Sequence, residues 1–162
     1  MADLNNNILS PFFLNNKEIR KVIELIFFSY RDFNAGPDKV LEKINFGRAH
    51  HRIVYFVGKQ NNITIKELLG VLKITKQSHS RVLNQLVNEG FIHVSTGLDK
   101  RTKKLSLTNK GIELEKKLST IQINKIKKVI KKYNQKDING FKKILFEMID
   151  IDSKKIFEEL NQ

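Results

Sequence analysis

From Lys17 onward, apolar residues recur at steps of three and four: Ile19, Val22, Ile23, Ile26, Phe27, Tyr30 and Phe33. That spacing predicts a helix with one apolar stripe. Ala35-Gly36-Pro37 is expected to end it, because Gly accepts left-handed geometry and Pro cannot extend the hydrogen-bond ladder. A second helix is expected from about Asp38 to Gly58, interrupted near Asn45-Phe46-Gly47, with Phe46, Ala49, Ile53, Val54 and Val57 on its apolar face. Gln60-Asn61-Asn62 reads as a turn. Thr64 and Glu67 stand at capping-box spacing and open a short helix, Ile65 to Leu72. Lys73-Ile74 then leads to Thr75, a second N-cap, and the following helix runs to Glu89 and stops at Gly90.

Phe91-Ile92-His93-Val94 and Lys104-Leu105-Ser106-Leu107 are short strand candidates around a polar, charged tip, Ser95 to Lys103. Thr108 opens a long helix carrying Leu114, Leu118, Ile121, Ile126, Val129 and Tyr133. After Asn134-Gln135, one last helix from about Asp137 carries Ile138, Phe141, Leu145, Met148, Ile156 and Leu160. Residues 1–16 are a polar, Asn-rich arm whose apolar island, Phe12-Phe13-Leu14, is expected to tuck onto a partner surface. The expected fold is mainly α with a small β-hairpin, as one domain over 1–162 without repeats or linkers.

The helix after Thr75 carries the candidate chemistry. At 100° per residue, Val82, Leu83, Leu86 and Val87 share one side, and Gln77, Arg81, Asn84 and Asn88 fall opposite. Ser78, Ser80 and Gln85 stand on the flanks. These outward side chains can read base edges: Arg pairs with guanine, Gln or Asn with adenine, and Ser with several acceptors. The alternative is a plain solvated face, which in this chain would be rich in Lys and Glu like its other helices. His79 falls on the apolar side beside Leu83 and is expected to be packed rather than a DNA contact. On the hairpin, Asp99, Lys100, Arg101, Lys103 and Lys104 sum to +3 over six positions. Asp99 can pair with Arg101 and hold the guanidinium extended toward a narrow minor groove; a charged, solvated turn is the alternative. The expected DNA contacts are Thr75, Gln77, Ser78, Ser80, Arg81, Asn84, Gln85, Lys100, Arg101 and Lys103.

Composition adds less. The formal charge is +13, from 30 basic and 17 acidic residues, which invites nucleic acid or an anionic surface. Lys outnumbers Arg 24 to 6, and Ile (20) and Asn (16) are also abundant. All three have AT-rich codons, so genome composition accounts for part of the charge as well as function does. There is no cysteine, which removes disulfides, thiolate–zinc sites and thiol redox sensing. No apolar run approaches the ~20 residues of a membrane span. Met1 to Phe13 has neither a basic start nor a cleavage pattern, so a cytoplasmic protein is expected.

The segment Leu72-Lys73-Ile74-Thr75-Lys76-Gln77-Ser78-His79-Ser80-Arg81-Val82-Leu83 resembles the turn and recognition helix of the MarR family of bacterial regulators. Leu86-Val87-Asn88-Glu89-Gly90-Phe91-Ile92 is similar to its exit into the first wing strand. Asp99-Lys100-Arg101 with Leu107-Thr108-Asn109-Lys110-Gly111 is similar to its wing signature, the most specific element. The motifs span about Phe46 to Leu118, and the helix order matches over the whole chain; His79 departs from the family, which usually has an apolar residue there. The resemblance implies a winged helix-turn-helix lobe over 46–110 and a helical dimerisation lobe from 17–40 and 111–162. It implies a homodimer on a pseudo-palindromic double-stranded operator, with Gln77, Ser78 and Arg81 contacting bases or nearby phosphates and Arg101 as wing arginine. The terminal helices independently offer more apolar stripe than one winged-helix core can cover, which a second copy would bury; one larger monomeric bundle is the alternative.

The resemblance also implies a small anionic or phenolic effector between the lobes, lined by Tyr30, Phe46, Arg48, His50 and Arg52. Arg48 and Arg52, four apart on one helix, could share an anion or pair with carboxylates such as Glu18 or Glu42. His50 and His51, adjacent on a helix, point about 100° apart and do not chelate one ion together, so no metal and no cofactor are expected. Lys125, Lys127, Lys128, Lys131 and Lys132 form the densest basic run, read as a solvated face. No phosphate loop, nucleophile elbow or framed His and Asp pair is present, so no enzyme is expected. The competing readings are a nonspecific chromosome-associated winged helix and a protein-interaction module.

Overall fold

The computed structural model describes residues 15–97 and 101–162, apart from the side chains of Lys76, Ser78 and His79. The Phe12-Phe13-Leu14 island, the Asp99–Arg101 pairing, Lys100, and the side-chain expectations for Ser78 and His79 therefore lie outside the described residues. The chain forms two compact units, one up to Ala35 and one from Gly36 to Gln162.

The first helix, α1 (Asn16–Glu42), runs through Gly36-Pro37 and corrects the expectation that it ends there. A proline inside a helix costs about 3 kcal/mol through its missing N–H and its crowding of the preceding turn. Here Pro37 is fully buried, and a Cβ on Gly36 would come within 2.6 Å of Ile121 Cγ2. Packing outweighs the local preference. The expected interruption at Asn45-Phe46-Gly47 is present, so α2 is the shorter Arg48–Lys59 rather than a helix from Asp38. In the unit up to Ala35, Ile19, Val22, Ile23, Ile26, Phe27 and Tyr30 are all exposed.

The second unit holds the core. Strand β1 (Ile63–Thr64) leads into α3 (Ile65–Leu72), then α4 (Lys76–Asn88), β2 (Ile92–Thr96), β3 (Lys103–Leu107) and α5 (Asn109–Ile130). The hairpin of β2 and β3 gains a third strand, in the order β1-β3-β2. Leu105 pairs with Ile63 on one side and Val94 on the other. Two residues are too few to show a period of two, so periodicity could not find β1. Ile53, Val54 and Val57 of α2, Leu68 of α3, Leu83 and Leu86 of α4, Ile63 and Leu105 of the sheet, and Leu114 and Leu118 of α5 close one apolar cluster.

The expected last helix is two helices, α6 (Gln135–Met148) and α7 (Ile151–Glu159). Asp150 stands between them with extended backbone and accepts from Ser153 N–H at 2.8 Å, an N-cap that opens α7. The apolar spacing continues across this break, which hid it. Neither helix buries a single residue.

Candidate nucleic-acid interface

The helix-turn-helix is built from caps. Thr64 Oγ1 accepts from Glu67 N–H at 3.2 Å, and Glu67 Oε2 accepts from Thr64 N–H at 2.7 Å. This reciprocal box satisfies two of the N–H groups a helix start leaves unpaired. The Thr64 N–H and hydroxyl, both donating to Glu67 Oε2, hold that carboxyl below the usual carboxylate range. At the other end Lys73 takes left-handed backbone (φ 49°) and turns the chain toward α4. Lys73 Nζ donates to Asp150 Oδ2 at 2.6 Å, and with the Ser153 cap this holds the Asp150 carboxyl at about 2.

α4 sorts as its periodicity predicts. Leu83 and Leu86 are buried and Val82 and Val87 half-buried, while Gln77, Ser80, Arg81, Asn84 and Asn88 are exposed. Residues 77, 81, 84 and 88 share one face of a 3.6-residue helix. Ser80 Oγ donates to its own helix at Gln77 C=O, 3.0 Å away. Arg81 is in no ion pair among the described residues. Thr75 is exposed just before the helix. Gln85 is the exception: half-buried, it faces His50 Nε2 at 2.9 Å and donates to Glu89 Oε1 at 2.9 Å.

The wing follows directly. Thr96 pairs with Lys103 across the hairpin, and Gly97 N–H donates to Thr102 C=O at 2.8 Å. Arg101 and Lys103 are exposed beside that closure. The expected wing signature Leu107-Thr108-Asn109-Lys110-Gly111 has a structural task that its residue types alone did not disclose. Thr108 caps α5 by accepting from Gly111 N–H at 3.1 Å, and its hydroxyl donates to Gly90 C=O at 2.6 Å. Lys110 Nζ donates to Glu89 C=O at 2.8 Å and lies 4.1 Å from the Phe91 ring centre. A Cβ on Gly111 would sit 2.1 Å from the Phe91 carbonyl oxygen, so only glycine fits. The motif is a clasp that ties the C-terminal end of α4 to the start of α5.

Three of the residues expected to line an effector site, Phe46, Arg48 and His50, are engaged within the fold. Phe46 is buried, stacked on His50 at 4.3 Å and edge-on to Phe91 at 5.1 Å. His50 Nδ1 accepts from Gly47 N–H at 3.0 Å. Arg48 binds Asp38 in a fork, with Nη2 to Oδ2 at 2.8 Å, a carboxylate partner of the kind expected for it. Arg52 is exposed on α2, and Tyr30 is exposed in the other unit. On α2, His51 is buried, and burial lowers its pKa despite the nearby Asp38 and Glu115 carboxylates. Among the described residues no group of three or more His, Asp or Glu side chains is placed to hold a metal ion. Nor is any described helix long and apolar enough to cross a membrane.

The sequence profile of the MarR family matches residues 44–102. The HTH-type transcriptional regulator PetP of Rhodobacter capsulatus is 37% identical over 149 residues, 91% of this chain and 90% of PetP. Among solved structures, a MarR protein from Peptoclostridium difficile superposes with a TM-score of 0.68 at 17% identity, covering 98% of both chains. The MepR–DNA complex of S. aureus gives 0.63 at 19% identity, over 77% of this chain and 93% of MepR. These two likenesses concern the fold, whereas the likeness to PetP extends to sequence along nearly all of both proteins. The chain belongs to the MarR family of helix-turn-helix transcriptional regulators.

Proposed function

We propose that the protein acts as a homodimer on double-stranded operator DNA, placing α4 in the major groove and the Arg101 wing in a flanking minor groove, with no chemical step of its own. The carrying observation is the division of α4: one face is spent on the core, and the other presents Gln77, Arg81 and Asn84 to solvent. Guanidinium and amide groups on an exposed helix match the hydrogen-bonding edges of guanine and adenine. Thr75, Ser78 and Ser80 near the helix start, and Lys100 and Lys103 beside the wing arginine, would take phosphates and fix the register. The solved MepR structure, which carries DNA, supports this use of the fold. Acting on chromosomal DNA, it would work in the cytoplasm. Response to a small anion belongs to the same reading; Arg52 is an exposed cation for it on α2, whereas Arg48 is bound to Asp38.

The test is binding to duplexes from the protein's own upstream region and to random duplex, titrated between about 50 and 200 mM salt. Preference of about 10³-fold or more for the upstream region is expected. Equal affinity for both would make the protein a nonspecific chromosome binder, and no binding to either would favour a protein-interaction module.

A further inference from the structure

His50 belongs to no DNA-facing surface, yet its two ring nitrogens join the scaffold to the recognition helix. Gly47 N–H is one of the donors that the start of α2 leaves without a helical partner. It donates to His50 Nδ1 at 3.0 Å, so that nitrogen must carry its lone pair. The proton of the neutral ring is then on Nε2, which donates to Gln85 Oε1 at 2.9 Å. This in turn fixes the amide: with its oxygen toward His50, its NH₂ donates along α4 to Glu89 Oε1 at 2.9 Å. The Glu89 carbonyl takes Lys110, whose ammonium lies over Phe91, and Phe91 meets Phe46, which stacks on His50. The contacts close into a ring. Every polar member has one permitted hydrogen-bond sense.

We infer that His50 is a positioning residue for sequence readout: by holding Gln85 it fixes the rotation of α4 about its axis, and with it where Gln77, Arg81 and Asn84 point. The inference rests on the DNA-binding reading above and assigns Gln85 a supporting role instead of the base contact expected from sequence. Side-chain tips stand roughly 5–6 Å from a helix axis. A rotation of about 20° would therefore move them by about 2 Å, more than the spread of a hydrogen-bond length. Loss of the anchor should blur discrimination before it unfolds anything.

Two substitutions separate positioning from mere support. His50→Asn puts an amide oxygen where Nδ1 was, keeping the Gly47 cap, but cannot reach Gln85. His50→Gln carries an N–H out to Gln85 and leaves Gly47 without its acceptor. The measurements are the affinity ratio for the preferred duplex over random duplex, and the melting temperature, on the full-length protein. His50→Asn should lose about tenfold or more of that ratio, the value of one misaligned base contact, with its melting close to the parent's. His50→Gln should melt lower yet keep its ratio within about threefold, a smaller loss than one base contact. Gln85→Met supplies a third arm: combined with His50→Asn it should be no worse than either change alone. An unaltered ratio in His50→Asn, losses that track melting in both His50 variants, or preference lost at a single base pair only in Gln85→Met would each overturn the inference. Absence of any preference in the unsubstituted protein would instead remove the reading as a sequence-specific operator binder, and this proposal with it.

Discussion

At the scale of single residues, the polar groups that matter most are the ones turned inward. His51 is buried between carboxylates on two helices, Asp38 and Glu115, yet burial prevails and lowers its pKa below the usual 6.5. The sign of the consequence follows. The unfolded chain takes up a proton near pH 6.5, whereas folded His51 resists it until lower pH, so acid favours the unfolded state. Stability from this residue is complete above about pH 6.5 and declines as pH falls toward the lowered native value. Melting followed from about pH 7.5 to about pH 5.5 should show the decline, and His51→Gln should flatten it. An equal slope in both proteins would assign the acid sensitivity to other groups. Such inward roles were hardly legible from sequence. His50 was expected to line an effector site, although its position three residues after Gly47 is that of a capping partner. Gly111 was visible only as the end of a motif, because the carbonyl it avoids belongs to Phe91, twenty residues away.

Elements were legible where periodicity and capping agreed, and illegible where packing overrode them. The Thr64–Glu67 box, the stop at Gly90 (φ 76°) and the start at Thr108 are local chemistry and stand where expected. Passage of α1 through Pro37, the β1 strand and the α6–α7 break depend on contacts or lengths that a window of apolar spacing does not sample. The two elements proposed to face DNA should fail differently. Arg81 stands on the helix that would read bases, so Arg81→Ala should cost about 1–3 kcal/mol at the preferred operator and relax preference at one base pair. Arg101 stands at the wing, where a guanidinium would answer to groove width and backbone charge. Arg101→Ala should weaken binding to all duplexes while leaving association state and melting intact, since its side chain is exposed. Anisotropy titrations against a panel of single-base operator variants distinguish these patterns. A uniform loss for Arg81→Ala would make it a phosphate contact, and unchanged binding by Arg101→Ala would remove the wing from the interface.

For the whole molecule, the decisive fact is the apolar surface left exposed among the described residues. Phe141, Ile144, Leu145 and Met148 of α6 are each more than 40% exposed, as are Ile123, Ile126 and Val129 of α5. α6 is 14 residues long and α7 nine, and helices of that length are marginal in water without tertiary packing. Large exposed apolar areas on soluble proteins commonly mark interaction surfaces. A second copy would bury it and set two α4 helices about one turn of DNA apart. Once one head is bound, the other would be held near its half-site, gaining roughly 10²- to 10⁴-fold in avidity with no new contact to DNA. Leu145→Glu places a charge in that surface and should release monomers in sedimentation. Because the reading head is untouched, affinity for an isolated half-site should stay as it was, while affinity for the full operator should fall by about 100-fold or more. An unchanged sedimentation coefficient would exclude α6 from the interface. Equal losses on half-site and full operator would mean that the substitution had damaged the head itself.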